Sequence, residues 1–549
     1  MEGLMQFSHM RVTSVIDHAA RFHPDSGVTS VPADCDRVYV SYRDLRERAL
    51  TLAYALKEDG VRPGDRVATM AFNTHRHLES WYAIMGLGAV CHTLNPRLFL
   101  DDLAYIANDA EDVVLLADHI LAPVARQVAQ RVPSIRKIIY YCDDAHVPGA
   151  KGAPAVPEVA YERLLRDTRP RVPADFDWTP VPETAACGLC YTSGTTGKPK
   201  GVLYSHRSNY LHMMQAIMPD TIGISSTSVL TAVVPLFHAN SWGIAFAAPA
   251  VGAHLVLPGH KLDGKSMLDL MADTKTDRTA GVPTVWLGLM QEMERTGRTL
   301  PDLKIMVVGG AALPEVLITY FSKFGVEVRQ AWGMTELSPI GTCGNIKRSV
   351  ITGDPRDEVA ARLSQGVPVM TVQMRVVGPD GKVAPHDGKT NGNIQVRGPH
   401  VLSHYYKKDE PATDADGWFD TGDVGNITPN GYMRITDRSK DVIKSGGEWI
   451  SSIEIENAAV GHPDVAEAAV IAVPHPKWTE RPLLIVVPKE GREPTSKGVL
   501  DFVAARVAKW WVPEDVVFLK DIPHTATGKI NKLALRQRFK TYVAGTSKL

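Results

Sequence analysis

Apolar and polar positions along this chain follow two periods that take turns for most of its length. Leu45, Ala49, Leu50, Leu52, Ala53 and Leu56 recur at helical spacing and predict a helix over 45–57. The run Arg66-Val-Ala-Thr-Met-Ala71 follows a Pro63-Gly64 turn and predicts a buried strand. Asp112-Val-Val-Leu-Leu-Ala117, trailed by an apolar-periodic helix, predicts a second, and Ile305-Met-Val-Val-Gly309 a third that ends in glycines. Such alternation predicts an α/β fold, in layers built on mainly parallel sheets.

The texture changes along the chain. Residues 145–182 are rich in Pro, Ala and charge and read as a loop-rich connection. After Asp354, valines alternate through Val372-Gln-Met-Arg-Val-Val377. The turn Pro379-Asp380-Gly381 follows, and then the strand-like Gly392-Asn-Ile-Gln-Val-Arg397. The expected organisation is a large unit over 1–437, with a β-rich subdomain at 354–437, and a small α+β domain over 442–549. The charged stretch Asp437-Arg438-Ser439-Lys440-Asp441 lies between them.

Composition narrows the functional classes. A chain of 549 residues holds two to four domains by the usual size prior, and 44% hydrophobic with 22% charged content suits a globular protein with a large core. A formal charge of −1 gives no reason to expect a nucleic acid or an anionic membrane as partner. Six scattered cysteines fit a reducing compartment. Cys187-Gly-Leu-Cys190 has C-x-x-C spacing but sits in an apolar strand, so buried thiols rather than a zinc site are expected. Trp242 to Pro258 is the most membrane-like stretch. Pro249, His254 and two glycines interrupt it, and no transmembrane segment or secretory signal is expected.

The densest chemistry lies in Tyr191-Thr-Ser-Gly-Thr-Thr-Gly-Lys-Pro-Lys-Gly201. Gly194, Gly197 and Gly201 let backbone N–H groups approach an anion. Thr192, Ser193, Thr195 and Thr196 add hydroxyl donors, and Lys198 and Lys200 add positive charge. Only Thr195 and Thr196 separate Gly194 from Gly197, and Pro199 follows the lysine, so this is not a Walker A loop. It is a cradle for a polyphosphate of another kind.

Read as a whole, that string resembles the phosphate loop of the adenylate-forming superfamily, which includes acyl-CoA synthetases, amino-acid adenylation domains and firefly-type luciferases. Four further strings fall in the family's order. Gln330-Ala-Trp-Gly-Met-Thr-Glu336, after a strand expected at Val326–Arg329, resembles the motif that meets adenine, phosphates and Mg²⁺. The resemblance implies that Trp332 and Gly333 hold adenine, that Thr335 and Glu336 approach the phosphates, and that Glu336 and Thr192 hold the metal. Gly310, Ala311 and Ala312 are implied nucleotide contacts. Gly417-Trp-Phe-Asp-Thr-Gly-Asp423 resembles the motif whose Asp423 accepts hydrogen bonds from both ribose hydroxyls. Arg438 is implied at ribose or phosphate, and Lys440 at a hinge spanning 438–441. Lys444, Gly446, Gly447 and Trp449 are implied at the pantetheine of CoA. Pro523-His-Thr-Ala-Thr-Gly-Lys529 resembles the motif bearing the adenylation lysine. His238 is implied at the carboxylate or gate of an acyl tunnel, bordered by Trp242, Gly281, Pro283 and Met334.

The implied reaction is acid + ATP + CoA to acyl-CoA + AMP + diphosphate through an acyl-adenylate, with the small domain turning between the two steps. His238, where amino-acid adenylation domains place an Asp, argues against an amino acid. Strings such as His92-Thr-Leu-Asn-Pro-Arg97 and Trp478-Thr-Glu-Arg-Pro-Leu-Leu484 are similar to bacterial medium-chain alkanoate and 3-methylmercaptopropionate CoA ligases. The expected substrate is a medium-chain fatty acid, with 3-methylmercaptopropionate or another short or aryl acid as the alternative. A catalytically silent nucleotide-binding regulator is the rival from another class. The terminal Ser547-Lys548-Leu549 is the tripeptide read by the peroxisomal import receptor, so the expected address is the peroxisome matrix in a eukaryote and the cytoplasm otherwise. Oligomeric state is open, with a homodimer among the expectations.

Overall fold

A computed structural model describes residues 1, 3–149, 155–192, 198–351, 354–438, 440–445, 448–524 and 530–542. The helix expected at 45–57 is Tyr42–Glu58. It starts where the Ser41 hydroxyl accepts the Asp44 N–H and so satisfies one of the free donors of the first turn. The three expected strands are Arg66–Met70, Asp112–Asp118 and Ile305–Gly309.

Two large sheets carry the described chain. One has seven strands, from Glu158–Ala160 at one edge to Gly201–Ser205 at the other. The other has nine, from Val367–Pro368 to Val38–Ser41. Both are parallel internally and antiparallel only toward their edges, as the apolar strands predict. The helix His75–Gly86 is buried along its whole length, and its Trp81 and Tyr82 pack on Phe246 of the helix Ile244–Val251. Tyr82 also donates to the Ala245 carbonyl at 3.0 Å. The stretch Trp242 to Pro258 is thus interior wall, as expected.

Asn73 ties the two sheets together. It lies just past Arg66–Met70 of the seven-stranded sheet, and its Nδ2 donates to the carbonyls of Ala232 and Val234, each at 2.8 Å. Its Oδ1 accepts the Leu236 N–H at 2.7 Å. These are the backbone groups left unpaired where the strand Val229–Ala232 of the other sheet runs out.

Two smaller sheets follow. Gln373–Val377, Gly392–Arg397, Phe419–Ile427 and Met433–Arg438 form an antiparallel sheet of four. It begins later than the sequence texture suggested. Residues 355–362 form a helix, and Val367–Pro368 pair with Ile340–Cys343 of the nine-stranded sheet. Residues 145–182 also differ from expectation, since Glu158–Ala160 extends the seven-stranded sheet and Tyr161–Thr168 is a helix. Tyr161 and Leu165 supply that helix with a buried face despite the surrounding Pro and charge. Beyond 441 lies a sheet of five with its own apolar core, including Ile443, Val470, Leu484 and Val499.

Removing the Asn73 amide strands three buried backbone groups at once. Asn73→Ala is expected to cost about 3 kcal/mol or more of stability, since each unsatisfied group costs ~1–3 kcal/mol. Denaturant unfolding with an unchanged midpoint would contradict this.

Candidate active site

In open α/β sheets, ligands gather at the carboxyl ends of the strands. Four neighbouring parallel strands of the nine-stranded sheet bring their carboxyl ends to one edge: Val229–Ala232, Arg278–Gly281, Ile305–Gly309 and Glu327–Gly333. Directly beyond those ends lie His238, Pro283, Gly310–Ala312 and Met334–Glu336. The residues singled out from sequence therefore share one rim, although more than 90 positions separate the first from the last.

The motif at 330–336 is not placed after a strand, as expected. The strand runs Glu327–Gly333 and carries Gln330, Ala331, Trp332 and Gly333 within it. Pairing on both sides, with Ile305–Gly309 and Ile340–Cys343, holds the backbone extended past polar Gln330. Trp332 is only 8% exposed. A Cβ at Gly341 would stand 2.5 Å from its ring, so that glycine lets the backbone lie against the indole. The indole Nε1–H donates to Asp423 Oδ2 at 2.8 Å, and Arg438 Nε lies 2.9 Å from Asp423 Oδ1. Asp423 and Arg438 are direct partners in the ladder between Phe419–Ile427 and Met433–Arg438. Asp423 is buried, and each oxygen holds one donor while keeping a further lone-pair direction.

Thr335 and Glu336 are buried in the tight turn Thr335–Leu337. Tyr204 donates to the Thr335 carbonyl at 2.7 Å, and Tyr405 donates to Glu336 Oε1 at 2.9 Å. Burial and the Glu336 carboxylate hold the Tyr405 phenol well above the usual tyrosine range. The ends of the phosphate loop are close by. Thr192 N–H donates to the Lys200 carbonyl at 2.9 Å, and Tyr406 N–H to the Gly201 carbonyl at 2.8 Å. Lys200 Nζ sits 4.7 Å from the Tyr405 ring centre, and Lys198 Nζ 4.8 Å from that of Tyr105. Ser193, Gly194, Thr195, Thr196 and Gly197 lie outside the described residues, as do Gly446, Gly447, Lys529 and the terminal tripeptide.

Ala239, Asn240, Ser241 and Trp242 form a left-handed turn, with φ of 43°, 54°, 50° and 53°, completed by Gly243 at 75°. Each non-glycine residue there costs about 1–2 kcal/mol, so the surroundings must impose the turn. Asn209 accepts from Asn240 Nδ2 at 2.8 Å, and Ser241 Oγ donates to the Val234 carbonyl at 3.0 Å. Trp242 lies against the backbone of Gly309, where a Cβ would stand 2.6 Å from its ring. His212, kept neutral by burial, fills the space beside Gly243 and accepts the Ile340 N–H at 3.0 Å. His238 precedes the turn and is half-buried.

Past Arg438, Lys440 and Lys444 are exposed, and Lys444 pairs across a hairpin with Trp449. The Lys444 N–H donates to Glu480 Oε2 at 2.9 Å. His524 and Ile530 form an antiparallel bridge, and Asn531 N–H donates to the Pro523 carbonyl at 2.7 Å. Together they close the base of the segment that carries Lys529. The site is thus reached from the sheet rim, the phosphate-loop stem and the four-stranded sheet, which the Asp423 and Tyr405 contacts join.

Sequence reasoning missed Tyr405, Asn73, Asn209 and His212. The doublet Tyr405-Tyr406 lies outside every string singled out, and a single Asn or His carries no local signal of what it will meet.

Comparison with known proteins gives the same picture. The AMP-binding enzyme model matches residues 16–406, and the AMP-binding enzyme C-terminal domain model matches 454–529. The medium-chain-fatty-acid–CoA ligase of Ectopseudomonas oleovorans is 42% identical over 540 residues, covering 98% of each chain. The 3-methylmercaptopropionyl-CoA ligase of Ruegeria lacuscaerulensis is 42% identical over 553 residues, covering 99% of this chain and 100% of its own. The crystal structure of an anthranilate CoA ligase with anthranoyl-AMP superposes with a TM-score of 0.85 at 24% identity, covering 98% of this chain and 99% of its own, a likeness of fold. The chain belongs to the AMP-binding enzyme family.

Proposed function

We propose that the chain is an ATP-dependent acyl-CoA synthetase, an acid–thiol ligase that makes acyl-CoA, AMP and diphosphate through an acyl-adenylate. One observation carries this reading. Trp332, Asp423 and Arg438, drawn from three distant strings, contact one another, and Glu336, four positions past Trp332, reaches the stem of the phosphate loop through Tyr405. Relatives named as CoA ligases across the full length support it.

Asp423 would take the ribose hydroxyls on the lone-pair directions that Trp332 and Arg438 leave open. Trp332 would meet adenine, with Gly333 and Gly310–Ala312 forming the rim beside it. The donor set suits a hard cation. Glu336 and the Thr192 hydroxyl would hold Mg²⁺, whose chemistry when bound is to neutralise charge on the phosphate oxygens. Lys198, Lys200 and the loop that runs up to them from Thr192 would hold the outer phosphates. Lys529 would stabilise charge on the α-phosphate oxygens as the acid's carboxylate attacks and diphosphate leaves. With the small domain turned about 438–441, Lys440 included, the segment from Lys444 through Gly446 and Gly447 to Trp449 would lead the CoA thiol to the acyl carbonyl. The domain division at 437 and 442 is part of this proposal.

For the acid, His238 would stand at the carboxylate, and Trp242, Gly281, Pro283 and Met334 would wall the acyl chain. None of the four wall residues is charged, which supports an apolar acid. A medium-chain fatty acid is the reading preferred, with 3-methylmercaptopropionate as the alternative that the second relative's name supports. No helix among the described residues is long and apolar enough to cross a membrane. Bacterial relatives support a cytoplasmic enzyme, and the peroxisomal address keeps a meaning only in a eukaryotic host.

Acid-dependent exchange of labelled diphosphate into ATP tests the reaction against a silent regulator. Exchange should be strongest with medium-chain acids in a panel from acetate to palmitate that includes 3-methylmercaptopropionate and benzoate. No exchange with any acid would refute the enzyme. Lys529→Ala should abolish acyl-adenylate formation yet largely spare thioester formation from supplied acyl-adenylate, and equal loss of both steps would remove Lys529 from its role. Gly309→Ala forces Trp242 aside and meets the Ala331 carbonyl at 2.7 Å. It should cost about 1–3 kcal/mol of stability and lower kcat/KM selectively for the longest acids accepted. A uniform loss across acids would take Trp242 out of the acyl wall.

A further inference from the structure

The strap 400–407 is bonded at one end to the turn carrying Glu336 and at the other to the phosphate-loop stem. Leu402 N–H donates to the Glu336 carbonyl at 2.9 Å, and His400 Nδ1–H to the Leu337 carbonyl at 2.8 Å. Further along, Tyr406 N–H donates to the Gly201 carbonyl, and Lys407 Nζ reaches the Asp109 carbonyl at 2.7 Å and Glu111 at 2.8 Å. Between these anchors, Tyr405 packs on the cluster of Cys190, Val202 and Tyr204. Packing fixes its ring, with the hydroxyl 2.9 Å from Glu336 Oε1 and the Lys200 ammonium 4.7 Å from the ring centre.

We propose that Tyr405 is a positioning residue that sets the Glu336 carboxylate for the metal–nucleotide complex and keeps it in register with the Lys200 end of the phosphate loop. This rests on the ligase reading above. A carboxylate on two rotatable carbons has several rotamers, and a metal ligand must be held in one of them. The phenol donates to one carboxylate oxygen and so selects the rotamer in which Glu336 is held. The ring does a separate job, since a cation over its face steadies the loop lysine nearest Gly201.

The two roles come apart in Tyr405→Phe, which keeps the ring and its packing but loses the hydroxyl. Mn²⁺ binding to the enzyme with α,β-methylene-ATP, read by water-proton relaxation, needs no turnover. Tyr405→Phe should weaken it about tenfold, the scale of one hydrogen bond to a charged group, with the melting temperature nearly unchanged. Glu336→Gln should weaken it further, and adding Tyr405→Phe to Glu336→Gln should change nothing more. Unchanged Mn²⁺ affinity in Tyr405→Phe, or losses that add in the double variant, would overturn the proposal. Wild-type enzyme that binds Mn²⁺–nucleotide but exchanges no diphosphate would overturn the ligase reading, and this proposal with it.

Discussion

A buried carboxylate is costly unless its oxygens are bonded, and the Asp423 carboxylate is bonded from two directions by two different bodies. Trp332 comes from the strand Glu327–Gly333, inside the nine-stranded sheet. Arg438 ends the last strand of the four-stranded sheet, where the chain leaves for the small domain. Each charge-assisted hydrogen bond is worth about 1.5–3 kcal/mol; losing Arg438 leaves a buried charge without its counter-charge, and losing the Trp332 indole leaves a buried oxygen without its donor. That side chain joins the four-stranded sheet to the nine-stranded sheet, alongside the bonds that Gln365 and Gly366 make to Met433 and Ile435, and the rim of the site takes its shape from the join.

The rest of the architecture works toward placing ordinary residues in unusual positions. The left-handed turn Ala239–Gly243 has no sequence reason to form, since only its last member is a glycine. It exists because Asn209, Val234, Gly309 and His212 leave no other path for the chain. Asn73 settles the strand end just before it, so the seven-stranded sheet contributes to a wall built on the nine-stranded one.

How much of this could be read from the residues differs by scale. Apolar strands such as Asp112–Asp118 and Ile305–Gly309 were legible because continuous burial leaves a continuous apolar run. The helix Tyr161–Thr168 was not, because Pro and charge around it mask the buried face of Tyr161 and Leu165. At the site, strings with a chemical reason for their composition stood out, and 330–336 and 417–423 indeed meet through Trp332 and Asp423. Its supports did not stand out. Tyr405, Asn209 and His212 act by meeting groups between about 30 and 130 positions away, and no local pattern encodes such a meeting. The limits of the strand Glu327–Gly333 were missed for a related reason, since pairing with two neighbours rather than propensity extends it.

The ladder pairing of Asp423 with Arg438 has a mechanical consequence. Arg438 is both the last residue of its strand and the first of the proposed pivot at 438–441, and its ladder pairing ties it to the four-stranded sheet. A swing of the small domain about that pivot would leave the arginine seated and the carboxylate neutralised. The sugar end of a bound adenylate would then feel no tug while one catalytic face is exchanged for the other. A reactive intermediate could stay moored through the changeover, rather than drifting into water between two half-reactions.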